Sequence, residues 1–534
     1  MPGPDLHTDA LRPAAVAASA AAPARRLAEL SARLGLVWTA QPARSADSDA
    51  VLAGITHDSR SVRRGDLYAA LPGAKAHGAE FADDAAKAGA LAVLTDEAGR
   101  AASERTGLPV LVVEEPRKAV GSVASWIYGD PSRQLRLLGV TGTNGKTTTS
   151  YLLEAGLQAA GERTGLIGTI ETRIGSDVLP SIRTTPEAAD LQALFAVMVE
   201  RGVGAAAMEV SSHALALHRV DGTAFDVVAF TNLSQDHLDF HRDLADYFAA
   251  KARLFSPEFA RAGVVNIDDE HGRRLATHPS IPMTTVSAQG RPDADWRATS
   301  VVRAPAGSRF TAVGPGVEIE VKVGLPGQFN VANALLALAT LVSAGVDAEV
   351  AVRGIAAVRG VPGRMESISV GQPFTALVDY AHTPDAVSTV LTNLRETARG
   401  RIIVVLGCGG DRDRAKRPLM GAAAARLADV AVLTSDNPRS EDPQTILDAM
   451  VEGAMAVPAA ERGLVVVEAD RARAIGVAVE RAHAGDVVVV AGKGHEQGQE
   501  VGDVVHAFDD RAVLRAAIEA RRAGDAAGAP EAST

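Results

Sequence analysis

Residues Gly139–Thr149, GVTGTNGKTTT, follow directly on the apolar run Leu135–Leu138. A strand, a glycine-rich turn and a helix start in that order aim several backbone N–H groups, with the positive end of a helix dipole, at one point. A nucleotide triphosphate is the usual occupant. Gly142, Thr143, Asn144 and Gly145 form the cradle, joined by Thr148. Lys146 reaches the β- and γ-phosphates, and Thr147 offers its hydroxyl to magnesium. The spacing departs from the common phosphate loop: Val140 stands five places before Gly145, and the glycines fall at 139 and 142.

Other chemistry-bearing residues fall at the ends of apolar runs. Glu209 closes the run Ala205–Val210 ahead of Ser211, Ser212 and His213. Its carboxylate either holds magnesium beside the phosphate loop or caps the next helix. His237 lies in NLSQDHLDFH, where Asp236, Asp239 and His241 read as helix-start caps and scaffold. Lys251 shares a helical face with Tyr247, Phe248 and Phe255. It either snorkels or, if buried, becomes a neutral amine. Asn330 and Asn333, with Arg364, Asp379 and His382, are suited to holding adenine and ribose and to stabilising charge on a γ-phosphate. A two-signed set, Arg412, Asp413, Arg414, Lys416 and Arg417 with Asp436, Asn437, Pro438, Arg439, His495 and Glu496, suits a zwitterion such as an amino acid.

The elements that must position these groups fall into three blocks. Up to about residue 133, short apolar runs (67–71, 91–95, 110–113) alternate with Ala-rich helical stretches. From 134 to 366, runs at 135–140, 205–210, 226–231 and 263–267 alternate with helices, as in a parallel sheet covered on both faces, with an antiparallel patch near 301–323. From 367 to 522, runs at 376–380, 402–408, 430–435, 464–468 and 487–491 mostly end in polar or Gly-rich turns, where open α/β sheets collect ligands. The expected fold is therefore α/β in three domains: a small N-terminal unit (31–133), a central phosphate-loop domain with a mostly parallel sheet (134–366), and a Rossmann-like C-terminal domain (367–522). Residues 1–30 read as an extension and 523–534 as a tail.

Composition sets outer bounds. A chain of 534 residues is too long for one core. Its formal charge of −11 argues against general nucleic-acid binding, so an anionic substrate needs local Arg and Lys clusters. The single cysteine, Cys408, rules out an internal disulfide and fits a reducing cytoplasm. No apolar run approaches the ~20 residues that span a bilayer.

TGTNGKTTT, EVSSHAL, NLSQDHLDFH, YFAAKARLF, GQFNVANALLAL, VPGRME, DYAHTPDA, GCGGDRDRAKRPLM, SDNPR and GKGHE together resemble the Mur ligases, ATP-dependent amino-acid-adding enzymes of peptidoglycan precursor synthesis. The last three motifs are similar to those of the branch that extends UDP-N-acetylmuramoyl-L-alanyl-D-glutamate. DNPR (436–439) looks like the form that selects meso-diaminopimelate, whose extra carboxylate Arg439 would meet. By this resemblance Ser59 and the turn Ala74, Lys75, Ala76 contact the uridine diphosphate. Thr184, Thr185, Ser211 and Arg219 contact the muramoyl-peptide. Arg412, Asp436, Asn437, Pro438, Arg439, Gly492 and Glu496 bind diaminopimelate.

The resemblance also implies that Lys251 takes up carbon dioxide as a carbamate. With His237 it would then hold a second magnesium ion, the first falling to Thr147 and Glu209. Lys146, Arg364, Glu209, His237 and Lys251 are the catalytic set. ATP, two Mg²⁺ and a cytoplasmic monomer are expected. Leu217 stands where some relatives carry a Gln that touches substrate. A folylpolyglutamate synthase would share the ATP-site motifs but lack the DSR and DNPR segments; a non-catalytic nucleotide-binding protein would not need the two-signed loops.

Overall fold

The computed structural model describes residues 25–35, 50–73, 75–277, 279–304 and 307–527. Among the described residues, three large sheets and one two-stranded hairpin carry the chain. The first holds four parallel strands in sequence order, Gly54–Thr56, Asp66–Ala69, Ala92–Thr95 and Val110–Val112.

The second has eleven strands. At its centre the strand before the phosphate loop, Arg136–Thr141, lies between Ala205–Glu209 and Phe225–Phe230, all parallel. Thr164–Ile167, Ala260–Asn266 and Met283–Ser287 extend the parallel part. Both flanks end antiparallel, through Glu171–Ile174 and Asp177–Pro180 on one side and Trp296–Ala304, Gly307–Gly314 and Val317–Val323 on the other.

The third sheet has six strands, ordered Glu366–Ser367, Thr375–Asp379, Val487–Ala491, Ile402–Cys408, Val430–Ser435 and Leu464–Val467. All but the first pair are parallel.

The central strands are buried because both faces are covered. Successive side chains point to opposite faces, so each strand feeds two cores. Leu138, Val140, Ala205, Ala207, Val227 and Ala229 pack under the helices Lys146–Ala159 and Phe329–Ser343. Leu137, Ala206, Met208, Val228 and Phe230 pack with the helix Ala188–Glu200 on the other side. In the third sheet Val404 and Leu406 serve one core, Val405 and Val490 the other. The functional consequence is that, within each sheet, the loops leaving the carboxyl ends of the parallel strands open on one edge.

The folded part differs from the sequence reading at both ends. Arg26 bridges to Val51, and the helix Leu27–Leu34 buries Leu27 and Leu30 in the first core, so residues 25–30 are not an extension. The last helix runs Asp510–Ala527, past the 523 boundary. In both places the chain continues a helical turn whose inner face is already apolar. Among the described residues no helix is long and apolar enough to cross a membrane.

One buried ion pair anchors the last helix. Arg471 and Asp510 are fully buried and joined at 2.7 and 2.6 Å. Arg471 also donates to Ala491 O and Ser435 O, the ends of the two strands that flank Ile402–Cys408. Asp510→Ala strands that guanidinium and should cost the C-terminal domain about 3–5 kcal/mol. A shift in its urea midpoint reads this out, and an unchanged midpoint contradicts it.

Candidate active site

The phosphate loop closes tightly. Gly142 has φ +142° and Gly145 +87°, and a Cβ at either would fall 1.9 Å from Thr231 Oγ1 or 2.5 Å from Asn333 Oδ1. Asn144 N donates to Asn232 Oδ1, Thr143 Oγ1 meets Tyr247 Oη, and Thr148 is buried in the first helical turn. Lys146 folds back so that Nζ donates to Gly142 O (2.9 Å) and Thr143 O (2.8 Å). Burial pulls its pKa down, against the pull of Glu209 and Asp236.

Glu209 is not a helix cap. Ser211 caps the helix Ser212–Ala216, its Oγ accepting from Ala214 N. Glu209 instead accepts from Thr147 Oγ1 (3.0 Å), from Thr169 N (2.7 Å) and from Thr169 Oγ1 (3.1 Å). Thr169 Oγ1 also meets Thr184 Oγ1 at 3.0 Å. The buried Thr185 ties Glu209 O to Ser211 N, and Arg219 pairs with Glu187 while reaching Thr185 O.

From the linker to the third domain, Arg364 Nη2 donates to Thr147 Oγ1 (3.1 Å), and its guanidinium lies 4.2 Å from the centre of the Tyr380 ring. Its Nε is buried with no hydrogen-bond partner among the described residues. Asn330 and Asn333 are buried and bonded to each other, with Asn330 on Pro326 O and Asn333 against Gly145. Both oxygens of Asp379 accept backbone N–H groups, from Met365 and Ala381, which fixes the linker.

Lys251 is fully buried on the helix Leu244–Ala252. Its Nζ donates to Gly142 O at 2.7 Å and lies 4.6 Å from the Tyr247 ring centre, with no ion pair to a carboxylate among the described residues. Burial, with Lys146 close by, holds its pKa well below the ordinary lysine value, so the snorkelling alternative fails. His237 has φ +56° and packs edge-on to His213. Burial pushes its pKa down to about 3 against the pull of Asp236, leaving a neutral imidazole.

The segment before that helix is irregular, and the helix cap is Asp243 rather than Asp236, Asp239 or His241. Asp236 instead faces His237 (3.5 Å) and His382 (4.0 Å), while His241 pairs with Asp246. The cap falls where the chain first becomes helical, a boundary that the dense polar run conceals.

The third domain closes over this edge. Asn144 Nδ2 lies 3.4 Å from Asp385 Oδ2, and a cavity of about 230 Å³ runs between the domains. It is lined by Asp236 and His237 on one side and by Arg412, Asp436, Asn437, Arg439, Gly492 and Glu496 on the other, with Tyr380 between. Asn437 Nδ2 donates to Glu496 Oε2, and a Cβ on Gly492 would fall 2.6 Å from Asp436 Oδ2. Burial, with Asp436 nearby, raises the Glu496 pKa. Pro438 holds the turn, and its O accepts from Glu441 N.

The uridine-diphosphate candidates lie apart, in the first domain. Ser59 starts a short 3₁₀ turn capped by Asp58, Lys75 is exposed and Ala76 half-buried; Ala74 is outside the described residues.

Sequence reasoning missed Lys493, fully buried, whose Nζ donates to Asn437 Oδ1 (2.7 Å) and Glu496 Oε2 (3.1 Å). A lysine between glycines after VVVVA was the available signal. It also missed Thr169, which reaches Glu209 from the bend after the strand Thr164–Ile167, itself not recognised.

Larger openings exist, such as a groove of about 610 Å³ near Arg395 and Arg462, but that groove contains none of these groups. Among the described residues no three His, Cys, Asp or Glu side chains gather as a metal cage. Glu209 with the Thr147 hydroxyl is a sparse oxygen set, the kind Mg²⁺ uses when phosphates supply other ligands. A neutral His237 near the Lys251 amine fits a second ion only if that amine gains negative charge.

Three family models match in succession: the Mur ligase family catalytic domain at 51–128, the Mur ligase middle domain at 140–341 and the Mur ligase, glutamate ligase domain at 363–494. A UDP-N-acetylmuramoyl-L-alanyl-D-glutamate–2,6-diaminopimelate ligase of Streptomyces avermitilis is 59% identical over 92% of this chain and 96% of its own. The same-named ligase of Corynebacterium glutamicum is 51% identical over 89% and 93%. A solved structure of a ligase with that name superposes with a TM-score of 0.65 at 33% identity, covering 94% of this chain and all of its own. With the phosphate loop and the Asp436–Arg439 loop at facing edges of two sheets, and such relatives along nearly its whole length, the chain belongs to the Mur ligase family.

Proposed function

We propose that this chain joins meso-diaminopimelate to UDP-N-acetylmuramoyl-L-alanyl-D-glutamate at the expense of ATP, as a cytoplasmic monomer in peptidoglycan precursor synthesis. The observation that carries the reading is the cavity shared by His237 and the Asp436–Arg439 loop, which puts an amino-acid-sized, two-signed pocket against the nucleotide edge. The terminal D-Glu carboxylate takes the γ-phosphate to become an acyl phosphate. Lys146 and Arg364 offset the charge on the transferring group. The diaminopimelate amine then attacks the acyl carbon, and phosphate leaves from the tetrahedral intermediate. Asp436 and Glu496 take an ammonium, Arg412 and Arg439 a carboxylate. The closed domains exclude water that would hydrolyse the acyl phosphate.

Magnesium, held by Thr147 and Glu209, would neutralise phosphate charge. A second ion would rest on His237 and on Lys251 as its carbamate, formed when the neutral amine adds to CO₂ and releases a proton. The deciding experiment measures ADP release with each substrate omitted. Release without either acceptor or diaminopimelate would overturn the proposal, and preference for a folate acceptor would favour a folylpolyglutamate synthase. Arg439→Ala should raise the KM for diaminopimelate roughly ten- to a hundredfold, the scale of lost hydrogen bonds to a charged group, and leave that for ATP unchanged. Two unchanged constants would refute the specificity assignment.

A further inference from the structure

The Asp436–Arg439 loop does not hold its own shape. Arg439 sits at φ +52°, a left-handed conformation that non-glycine residues rarely adopt. A short antiparallel hairpin, Gly498–Val501 and Val504–Ala507, lies alongside it and grips it residue by residue. Gln499 Nε2 donates to Asp436 O at 2.7 Å, and Glu500 N donates to Asn437 Oδ1 at 3.0 Å. Arg439 N donates to Glu500 O at 3.1 Å, and Gly502 N returns to Arg439 O at 2.7 Å. Val501 and Arg439 thus form an isolated parallel bridge, as if the loop were one more strand.

The side chains complete the clamp. The Glu500 carboxylate takes Arg439 Nε at 2.6 Å, while Nη1 donates to Gly410 O at 2.8 Å. Nη2 has no acceptor among the described residues, and Arg439 lines the cavity. A guanidinium is planar and rigid, so fixing Nε and Nη1 fixes the direction of its remaining N–H groups. The Glu500 side chain is 44% exposed, so the ion pair adds little to stability. What it supplies is orientation.

We propose that Glu500, on the hairpin Gly498–Ala507, is a positioning residue that sets the selectivity of this ligase for diaminopimelate over lysine by aiming Arg439 at the second carboxylate. The proposal rests on the ligase reading above and deepens it. Without Glu500 the guanidinium samples other directions, so the carboxylate that distinguishes diaminopimelate from lysine loses its partner. The rest of the amino acid keeps its contacts with Asp436, Asn437 and Glu496.

The test is steady-state kinetics of the full chain with Glu500→Ala, Glu500→Gln, Arg439→Ala and the double variant. Glu500→Ala should raise the KM for diaminopimelate about tenfold, with kcat at saturation and the KM for ATP unchanged. Glu500→Gln, which keeps an acceptor oxygen, should recover part of that loss. The double variant should be no worse than Arg439→Ala, because Glu500 acts only through Arg439. Any discrimination against lysine should shrink by the same factor. An unchanged KM in Glu500→Ala, or additive losses in the double variant, would overturn the proposal while diaminopimelate-dependent ADP release left the ligase reading standing. Loss of diaminopimelate dependence in the parent enzyme would end both.

Discussion

Lys146→Ala should abolish turnover, lowering kcat/KM by at least about 10³-fold, and should remove nucleotide binding at ordinary concentrations. The side chain is half-buried in the nucleotide loop, and among the described residues its hydrogen-bond partners are two carbonyl oxygens, Gly142 O and Thr143 O. Neutral carbonyls are weak partners for an ammonium. The nearby carboxylates of Glu209 and Asp236 favour its charge from a distance, while burial opposes it. An arriving triphosphate resolves that imbalance, so the lysine binds more strongly to phosphate than to its own loop, and most strongly as charge spreads over the transferring group. Titration calorimetry with ATP, beside thermal unfolding to show an intact fold, makes the measurement. Normal ATP affinity in the variant would remove Lys146 from the phosphate role and with it the reading of the loop.

Lys251→Ala should lower kcat by about 10²–10³-fold, with partial recovery on adding acetate or formate. The reason is the local imbalance around Nζ: full burial, a cationic neighbour in Lys146 and one carbonyl partner. Burial and Lys146 favour the neutral amine, the form whose lone pair adds to CO₂, and outweigh the opposing pull of Asp236. A carbamate also repairs the site, since a new anion would face Lys146. Depleting CO₂ should slow the parent enzyme, bicarbonate should restore it, and the alanine variant should respond to neither. Falling pH should act in the same direction as depletion, because protonating the amine removes the nucleophile. A variant with full activity, or one blind to small carboxylates with a parent blind to CO₂, would refute the carbamate.

The sheets were legible in the chain because buried parallel strands are short runs of apolar residues ending in polar turns. Arg136–Thr141, Ala205–Glu209, Ile402–Cys408 and Val487–Ala491 all announce themselves this way. Among the strands that escaped, Thr164–Ile167, the exposed Asp177–Pro180 and the hairpin Gly498–Val501 and Val504–Ala507 are too short or too polar to stand out. Thr169 therefore escaped too. Glu209 and Lys251 were visible as residues but ambiguous as roles, because a cap and a ligand, or a snorkelling and a buried lysine, share one sequence pattern.

The sequence by itself determined the chemistry available: which groups stand at the ends of strands, and that a triphosphate cradle and a two-signed loop share one chain. Local order suffices there, since a glycine-rich turn between strand and helix builds its site from consecutive residues. Tertiary structure alone decided which distant groups meet. Arg364 reaches Thr147 across 217 residues, Lys251 reaches Gly142 across 109, and Glu500 grips a loop some sixty residues earlier. Such contacts depend on sheet order, crossover path and burial, and these depend on the packing of the whole chain.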